Sequence, residues 1–397
     1  MNVQTPFKLV PLQKVVYFQE GPGLRKWQYS NKGIAFLNIR TIGDDGFIKK
    51  DLCNFIAEEE VAEKYKHFLL NVGDLVVSSS GTLGKLAVVR EEDLPLMLNT
   101  SVIRFTSVDK NILCPSYLKW FIKSPLYIRQ INNASTGIAI KNYGPSHLRK
   151  IKIPLPPIDE QHRIAAILDK AAAISRKRQK AIQLADDFLR AVFLDMFGDP
   201  VTNPRGWESK LVGELLIFLT SGSRGWAKYY SKKGHLFLRI QNLGNNQLIL
   251  DDVALVDPPN NAEAKRTKVH PGDVLLSITA DLGRTAIVPD TVHTAYINQH
   301  LAILRFRDVE PVYASAYLSS KGGQHQIKKL NRGGVKAGLN FDDIKSLKIL
   351  LPRRDLQKHW AQIYKKHMLQ QVTHKNALST SSDLFNSLTQ RAFQGEL

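Results

Sequence analysis

Val72-Gly73-Asp74-Leu75-Val76 has a near copy 199 residues later, Pro271-Gly272-Asp273-Val274-Leu275. Other similar pairs follow the same order along the chain: Phe36-Leu37-Asn38-Ile39-Arg40 with Phe237-Leu238-Arg239-Ile240-Gln241, Asn99 with Asn298, Arg104-Phe105 with Arg305-Phe306, and Leu155-Pro156 with Leu351-Pro352. The offset falls from 201 to 196, as expected when insertions and deletions lie in loops. Because solenoid units recur every 20 to 50 residues or so, a repeat this long indicates a duplicated domain.

Each copy begins with short β-prone runs between turn-forming residues and continues into helix-like spacing. The predicted strands are Phe36–Ile42, Leu75–Ser78, Ala87–Val89 and Val102–Phe105, then Leu236–Gln241, Val274–Ile278, Ala286–Val288 and Ala302–Phe306. The predicted helices are Pro115–Gln130, interrupted at Pro125, and Tyr313–Lys329. Both copies are therefore predicted to be mixed domains of the α+β class.

Each mixed domain is followed by one long predicted helix. Asp159–Phe197 contains neither Gly nor Pro, and a heptad seam steps through Ile164, Ile167, Ala171, Ile174, Arg178, Ala181, Ala185, Phe188 and Val192. Adding 196 gives the same register in the second helix, at Trp360, Ile363, His367, Gln370, His374, Ala377, Ser381, Leu384 and Leu388. We therefore expect the two helices to pack on each other. Gly198 and Gly395 are expected to end them.

The charge balance points to a polyanionic partner. The chain has 55 Lys and Arg against 36 Asp and Glu, a net charge of +19, with an isoelectric point near 9.7. Residues 1–198 hold 28 basic and 19 acidic side chains, and residues 199–397 hold 27 and 17. Because the excess is shared, both halves are expected to touch nucleic acid. A basic surface kept only for solubility is the alternative.

Cysteine content and hydropathy argue against a disulfide-rich, a zinc-binding or a membrane-spanning protein. Cys53 and Cys114 are the two cysteines, far apart in sequence, so neither a disulfide framework nor a thiolate zinc site is predicted. The eleven histidines never pair at metal-ligand spacing with a suitable third ligand, so solvated or core positions are expected for them. No run approaches the roughly 18 apolar residues of a membrane span, and no leader is apparent. A cytoplasmic location is expected.

Three motifs resemble one protein family. They are Ile153-Pro154-Leu155-Pro156-Pro157-Ile158-Asp159-Glu160-Gln161-His162-Arg163-Ile164, Phe193-Leu194-Asp195-Met196-Phe197-Gly198-Asp199-Pro200-Val201-Thr202-Asn203-Pro204, and Gln390-Arg391-Ala392-Phe393-Gln394-Gly395-Glu396-Leu397. Together they resemble the specificity subunit of type I restriction-modification systems, over the whole chain. Arg353-Arg354-Asp355-Leu356-Gln357 departs from the usual opening of the second helix, so contacts there are expected to differ.

The resemblance implies two similar target-recognition domains separated by two long antiparallel helices packed as a coiled coil, with pseudo-twofold symmetry. The predicted segments are recognition domains at residues 1–155 and 199–351, with conserved spacer helices at 156–198 and 352–397. In the family this subunit is not catalytic. It binds a bipartite double-stranded DNA target, and its helices set the gap and dock two adenine methyltransferase subunits, to which restriction subunits add. S-adenosylmethionine and ATP are expected on those partners, with no cofactor in this chain.

Motifs that would support catalysis by this chain are incomplete. Asp257-Pro258-Pro259-Asn260 lacks the aromatic residue that stacks on a flipped base in amino-methyltransferases, so a turn is predicted there. Gly81-Thr82-Leu83-Gly84-Lys85-Leu86 is too short for a phosphate loop and has no Ser or Thr after the lysine. A fused methyltransferase or nuclease is therefore not favoured. The remaining alternative is a stand-alone architectural protein with two DNA-binding heads.

Three pairs of polar, glycine-containing segments are the candidates for DNA contact: residues 21–27 and 221–230, 78–82 and 277–281, and 135–142 and 331–338. The candidate residues are Arg25, Lys26, Ser79, Thr82, Lys141, Asn142, Arg224, Lys228, Tyr229, Thr279, Arg332 and Lys336. Arg25, Arg224, Arg332 and Asn142 can read base edges because their polar groups are bidentate. The lysines suit phosphates, so loss of Arg332 should relax sequence choice, whereas loss of Lys336 should weaken all sequences alike.

A second basic surface lies on the first long helix, at Arg176-Lys177-Arg178 and Lys180. Arg178 falls on the seam, where a polar residue usually fixes register. The other three can contact either the DNA backbone or a methyltransferase subunit. A helix of about 40 residues is roughly 60 Å long, long enough to separate two half-sites by a gap that is not read.

Overall fold

The computed structural model describes residues 5–81, 84–134, 142–244, 246–330 and 338–397. The chain forms two compact units. Unit 1 comprises residues 1–181 and 374–397, and unit 2 comprises residues 182–373. The division cuts both long helices near their middles, so each unit is built from both halves of the sequence. The four predicted segment boundaries stay a prediction.

The described residues of unit 1 form ten short strands and four helices before the long helix. The strands are β1 Leu9–Pro11, β2 Val16–Glu20, β3 Tyr29–Ser30, β4 Ile34–Phe36, β5 Asn54–Ile56, β6 Leu75–Ser78, β7 Leu86–Val88, β8 Leu96–Met97, β9 Val102–Ser107 and β10 Lys152–Pro154. The helices are α1 Glu58–Glu60, α2 Pro115–Lys123, α3 Pro125–Ala134 and α4 Pro145–Leu148, followed by α5 Ile158–Phe197. The predicted break at Pro125 is confirmed, because α3 begins there.

Unit 2 repeats this order. Its strands are β11 Glu208–Leu211, β12 Leu216–Ser221, β13 Tyr230–Leu238, β14 Ala254–Val256, β15 Val274–Ser277, β16 Thr285–Ile287, β17 Ala295–Ile297, β18 Leu301–Phe306 and β19 Lys348–Leu351. Its helices are α6 Val212–Leu215, α7 Ala262–Thr267, α8 Pro311–Ser319, α9 Lys321–Leu330 and α10 Phe341–Ser346, followed by α11 Arg354–Gln394. The mixed α/β character predicted for both halves is confirmed.

The same sheets occur in both units. A four-stranded antiparallel sheet has the order β2-β9-β6-β7 in unit 1 and β12-β18-β15-β16 in unit 2. A second sheet, β3-β5-β4-β8 or β14-β13-β17, includes one parallel pair. A two-stranded ribbon, β1-β10 or β11-β19, precedes the long helix. The predicted strand Phe36–Ile42 is shorter than expected, because Phe36 ends β4 and Ile39–Thr41 forms a helical turn.

One arginine of the repeat is displaced by two residues along its strand. Phe105 pairs with Leu75 and Leu304 pairs with Val274, so the structural offset here is 199 and not the 201 of the Arg-Phe match. Both Arg104 and Arg305 nevertheless reach the aspartate before β6 or β15 (Asp74 and Asp273, at 3.5 and 2.7 Å). Side chains two apart on a strand share a face, so a two-residue shift keeps the ion pair.

The first half of α5 pairs with the second half of α11 in unit 1. Ile164, Ala165 and Leu168 share a buried core with Ala392 and Phe393. The Arg178 guanidinium donates to the Ala377 carbonyl and the Ser381 hydroxyl, and the Arg163 guanidinium donates to the Leu397 carbonyl at 2.6 Å. Earlier residues of α5 meet later residues of α11, so the pairing is antiparallel.

The second half of α5 pairs with the first half of α11 in unit 2, in the same antiparallel sense. The Phe193 and Trp360 rings pack edge to face, with centroids 5.2 Å apart. Nearer the middle of the helices, Asp186 Oδ1 lies 3.0 Å from His367 Nε2 and 2.9 Å from Gln371 Nε2. Gly198 and Gly395 follow the helices with positive φ, as predicted for helix ends.

The predicted seam needs correction at four of its eleven proposed pairing residues. Ile164 and Trp360 are buried, Arg178 bonds across to α11, and Ile167, Val192, Ile363 and Leu388 are half-buried. Ile174, Phe188, His374 and Leu384 are instead exposed. The contacts run through polar residues such as Asp186, His367 and Gln371, while large apolar side chains face outward. The heptad spacing therefore predicts the interface at seven of these positions and is wrong at the four exposed ones.

Candidate nucleic-acid interface

Three strand ends meet at one edge of the four-stranded sheet in unit 1. Glu20, the last residue of β2, pairs with Ile103 near the start of β9, and Ser78, the last residue of β6, pairs with Val102. Because the strands are antiparallel, the loops after β2 and β6 lie beside the loop that enters β9. Two of the three segments predicted to contact DNA are thereby placed together.

Unit 2 has the same arrangement. Ser221 at the end of β12 pairs with Ala302 of β18, and Ser277 at the end of β15 pairs with Leu301. The loops that follow β12 and β15 are the second copies of the same predicted segments. The duplication has therefore preserved the placement of these loops as well as the strands that carry them.

The first loop of each unit lies directly against the loop that enters the central strand. A Cβ on Gly21 would lie 2.3 Å from the Asn99 backbone nitrogen, and one on Gly222 would lie 2.1 Å from the Asn298 carbonyl oxygen. The Thr100 N–H also donates to the Pro22 carbonyl at 3.1 Å. Glycine is required at both positions because the two backbones approach too closely for any side chain.

The second and third predicted segments are joined in both units by backbone bridges. Ser80 bridges Asn142, and Thr279 bridges Gly338. Beside these bridges, the Tyr143 N–H donates to the Ser79 carbonyl and the Leu339 N–H donates to the Ile278 carbonyl, each at 2.9 Å. In each unit the described parts of all three segments thus meet at one edge, which we call the recognition edge: residues 21–27, 79–81, 99–101 and 142–143 in unit 1, and 222–230, 278–281, 298–300 and 338–339 in unit 2.

Most described candidates face solvent at this edge. Arg25, Lys26, Asn142, Arg224 and Lys228 are exposed, and Tyr229 and Thr279 are half-buried. The Lys228 ammonium lies 5.0 Å from the centroid of the Tyr229 ring, and the Thr279 hydroxyl is hydrogen-bonded to Nδ1 of His300. Four further candidates, Thr82, Lys141, Arg332 and Lys336, lie outside the described residues.

Ser79 requires a correction. Its side chain is 2% exposed, and its backbone is held on both sides, by the Ser101 carbonyl and the Tyr143 N–H. A residue clamped between two neighbouring segments cannot present its hydroxyl to DNA. Its role is to join the segments of the recognition edge, and the exposed positions beside it are left for contact.

Two groups of polar residues at the edge were not predicted. The loop that enters the central strand carries Asn99 and Thr100 in unit 1, and Asn298, Gln299 and His300 in unit 2. The sequence signal for this loop is the recurrence of Asn99 as Asn298 in the internal repeat. The second group is formed around Arg266 of α7. Its guanidinium donates to the Thr220 hydroxyl, the Ser221 carbonyl and the Ser223 hydroxyl. No sequence signal connects Arg266 to the first loop, because the contact spans more than 40 residues.

The electrostatics of the edge differ between the units. In unit 2 the Trp226 indole N–H donates to Glu263 at 2.7 Å and, with the Ser223 hydroxyl, holds the pKa of that carboxyl below its usual value. In unit 1 the acidic residue Glu20 ends β2, where unit 2 has Ser221 at the end of β12, and its partial burial raises the pKa of its carboxyl. The cause is desolvation, which disfavours the charged form of the carboxyl.

Two further findings concern the part of the chain that the structure describes. It contains no cluster of three or more His, Cys, Asp or Glu side chains suited to a metal ion. None of its helices combines the length and apolar character that a membrane span requires.

Comparison with known proteins agrees with this architecture. Residues 7–184 and 205–380 each match the family described as type I restriction modification DNA specificity domain. The EcoKI specificity subunit of Escherichia coli (strain K12) is 23% identical over 98% of this chain and 89% of its own length. The EcoBI specificity subunit of Escherichia coli is 23% identical over 100% and 87%.

A solved structure supports the fold. The crystal structure of the type I restriction-modification system S subunit from M. genitalium superposes with a TM-score of 0.58 at 14% identity, covering 99% of this chain and 97% of that chain. Since the family match spans most of the sequence in two copies, the chain belongs to the family of type I restriction-modification DNA specificity domains, and it is a DNA specificity subunit rather than an enzyme.

Proposed function

We propose that each unit reads one half of a bipartite DNA target with its recognition edge. The observation that carries the proposal is the recurrence, in two units, of one loop cluster built on the same strand ends. Exposed Arg25 and Arg224 have the bidentate geometry that reads guanine edges, and Lys26 and Lys228 supply charge for phosphates. The excess of positive charge in both halves of the sequence supports DNA binding by both units.

The long helices are proposed to set the gap between the two parts of the DNA target and to dock two methyltransferase subunits. Their outward faces in unit 2 carry large apolar side chains on both helices: Leu184, Phe188, Leu369 and Val372, each more than half exposed. Scattered exposed apolar residues are ordinary, but here they lie one turn apart on each helix. A protein partner would bury them, whereas a DNA backbone would not favour them.

Catalysis is proposed to reside on those partners. Methyltransferase subunits would carry S-adenosylmethionine, and restriction subunits would carry ATP. The contribution of this chain is the choice of sequence. A stand-alone two-headed DNA-binding protein is the alternative function, and it differs in requiring no partner for tight, specific binding.

Methylation mapping tests the proposal. The chain is produced in a methylation-free host together with a type I methyltransferase subunit from its own source, and methylated adenines are mapped across the genome. The expected result is one motif of two short specified parts separated by an unread gap, and its loss when this chain is omitted. A single uninterrupted motif, or methylation that persists without this chain, would contradict the proposal. Tight specific binding by the chain alone, without methylation, would favour the alternative.

A further inference from the structure

Trp27 differs from the other four tryptophans of the chain. Trp120, Trp226 and Trp360 are buried and Trp207 is half-buried, with its indole N–H donating to the Phe197 carbonyl at 2.8 Å. Trp27 is 81% exposed, and among the described residues its indole N–H has no hydrogen-bond partner. Exposing a ring of this size forgoes a large hydrophobic gain, so a binding partner that covers it would recover that gain.

The turn that carries Trp27 is held in place from both sides. Trp27 is the middle residue of the helical turn Lys26–Gln28. The Gln28 side-chain amide donates to Glu60 Oε1 at 2.7 Å and to the Tyr65 hydroxyl at 3.1 Å, and its oxygen accepts from the Arg25 N–H at 2.9 Å. The indole therefore projects from an ordered support, which lowers the entropy lost when it binds.

The surroundings of the ring are cationic. Arg25 and Lys26 precede it and are exposed, and neither forms an ion pair with an acidic side chain in the described part of the chain. Upstream in the same loop, Gly21 and Pro22 are packed against Asn99 and Thr100 of the recognition edge. An aromatic face flanked by free cations matches a ligand that offers phosphates beside flat, apolar surfaces.

Unit 2 has a lysine at the same place. Tyr29 packs edge to face on Phe36, and Tyr230 packs edge to face on Phe237. Each residue of the second pair lies 201 positions after its counterpart in the first pair. The Ser30 hydroxyl donates to the Lys32 carbonyl, as the Ser231 hydroxyl does to the Lys233 carbonyl. With this offset Trp27 corresponds to Lys228. The two units therefore present different chemistry from one structural position.

We propose that Trp27 is a DNA-contacting residue of unit 1, which packs its ring against sugar and base surfaces of the first half-site, where unit 2 uses Lys228 to bind phosphate. This assignment rests on the proposed function of the recognition edges. It gives the two half-sites unlike modes of contact: an aromatic contact in the first, which releases no counterions, and an electrostatic contact in the second, which does.

The first measurement locates Trp27 in the complex. Hydroxyl-radical labelling read by mass spectrometry reports oxidation of Trp27 in the chain alone, with methyltransferase subunits, and with a duplex carrying the bipartite motif obtained from methylation mapping. Protection is expected only when DNA with an intact first half-site is added. Protection by methyltransferase subunits without DNA would overturn the assignment and mark a protein interface instead. Unchanged labelling in every sample would also overturn it.

The second measurement compares matched variants for affinity and salt dependence. Trp27→Ala should weaken binding to the intact duplex by roughly 5- to 150-fold, the factor expected for loss of one aromatic contact to a base, with an unchanged slope of affinity against salt. Trp27→Phe should retain most of the affinity. Lys228→Ala should instead reduce the salt slope by about 0.9. A reduced slope for Trp27→Ala, or no loss of affinity, would contradict the proposal.

Failure of this inference can be told apart from failure of the proposed function. If mapping yields no bipartite motif, the function fails before Trp27 is tested. If the motif appears and Trp27→Ala binds it normally, the function stands and the contact is refuted. Trp27 is exposed, so its variants are expected to unfold at the same urea concentration as the parent, which excludes misfolding as the cause of weaker binding.

Discussion

Gln161 and Gln357 occupy the same place in their units: each is the fourth residue of a long helix, and each is buried. Gln161 accepts from the Cys114 N–H at 2.9 Å and donates to the Ile112 and Pro156 carbonyls. Gln357 accepts from the Glu310 N–H at 3.0 Å and donates to the Pro352 carbonyl at 2.7 Å. Despite the departure at Arg353-Arg354, Gln357 therefore has two of the three bonds that Gln161 makes, and each glutamine joins its long helix to the segment before α2 or α8.

Replacing Gln161 by Leu should lower the stability of the chain by about 2–3 kcal/mol, because buried backbone groups lose their partners. Gln357→Leu should cost less, since fewer bonds are lost. Gln179→Leu, on the exposed face of α5, is the control and should have little effect. Urea unfolding of the three variants measures the difference. Equal midpoints for Gln161→Leu and Gln179→Leu would show that the buried amide is not stabilising.

The polar contact at Asp186 should be needed for helix pairing in unit 2. Asp186→Ala leaves His367 and Gln371 without their shared acceptor at a buried position, and a loss of about 1–3 kcal/mol is expected. The neighbouring Asp187 pairs with Arg190 on the surface, so Asp187→Ala should cost no more than about 1 kcal/mol. Thermal unfolding compares the two. The reverse order of effects would contradict the observed seam.

Arg224 is expected to read a base. Arg224→Ala should lower affinity for the preferred second half-site by about 1–3 kcal/mol and relax selectivity at one base position. Arg307 is an exposed arginine directly after β18, at the opposite end of that strand from the recognition edge. Arg307→Ala removes the same charge and should leave selectivity unchanged. Titration against a panel of half-site variants decides, and uniform weakening by Arg224→Ala would exclude it from base reading.

Phe188 is expected to contact a partner subunit. It is 67% exposed on α5, and Phe188→Glu should weaken association with the methyltransferase subunit by at least about tenfold, as for the loss of a central aromatic contact. Binding of DNA by the free chain should not change. Val108, which is 65% exposed after β9, provides the control Val108→Glu. Co-purification and calorimetry measure association, and equal effects of both changes would argue against a docking face at Phe188.

The effect of Glu20 on the stability of the chain is expected to depend on pH. Burial raises the pKa of its carboxyl, so the charged form disfavours the folded state at neutral pH, and this penalty is relieved as pH falls through the folded-state pKa. Glu20→Gln should therefore raise the unfolding temperature at pH 7 and raise it less near about pH 5, towards the usual range of glutamate. The exposed Glu58→Gln provides a reference. A difference that grows on acidification would contradict this sign.

Much of the fold could be predicted from the sequence because the same pattern occurs in both copies of the repeat, and each copy supports the interpretation of the other. The offset of 196 that aligned the helices also relates the Tyr117 and Tyr313 hydroxyls, which donate to the Pro154 and Leu350 carbonyls at 2.8 Å. Similar buried residues at a constant offset implied equivalent contacts, and the structure has them. The matching polar segments also lie together in each unit where the structure describes them, and their contact with DNA stays a prediction.

The remaining features depend on contacts that one-dimensional patterns do not contain. The helix seam was wrong at Phe188 because a seam can use Asp and Gln when their hydrogen bonds are satisfied across the interface. Ser79 was assigned to DNA because a serine in a turn gives no sign of being clamped between two backbones. The match of Arg104 with Arg305 was displaced because similar residues can reach one aspartate from either of two positions on a strand.

The division of both long helices between the units has a consequence for dissecting the molecule. A fragment ending at Gly198 would carry nearly all of the first mixed domain but lack Ala392 and Phe393, which complete its core, and the complementary fragment would lack Phe193 and Phe197. Neither piece is expected to be stable alone, and the two, coexpressed, should reassemble as a split protein. Exchange of one mixed domain between related proteins should therefore preserve both long helices. The core of each mixed domain is completed by helix residues that the other half of the gene encodes.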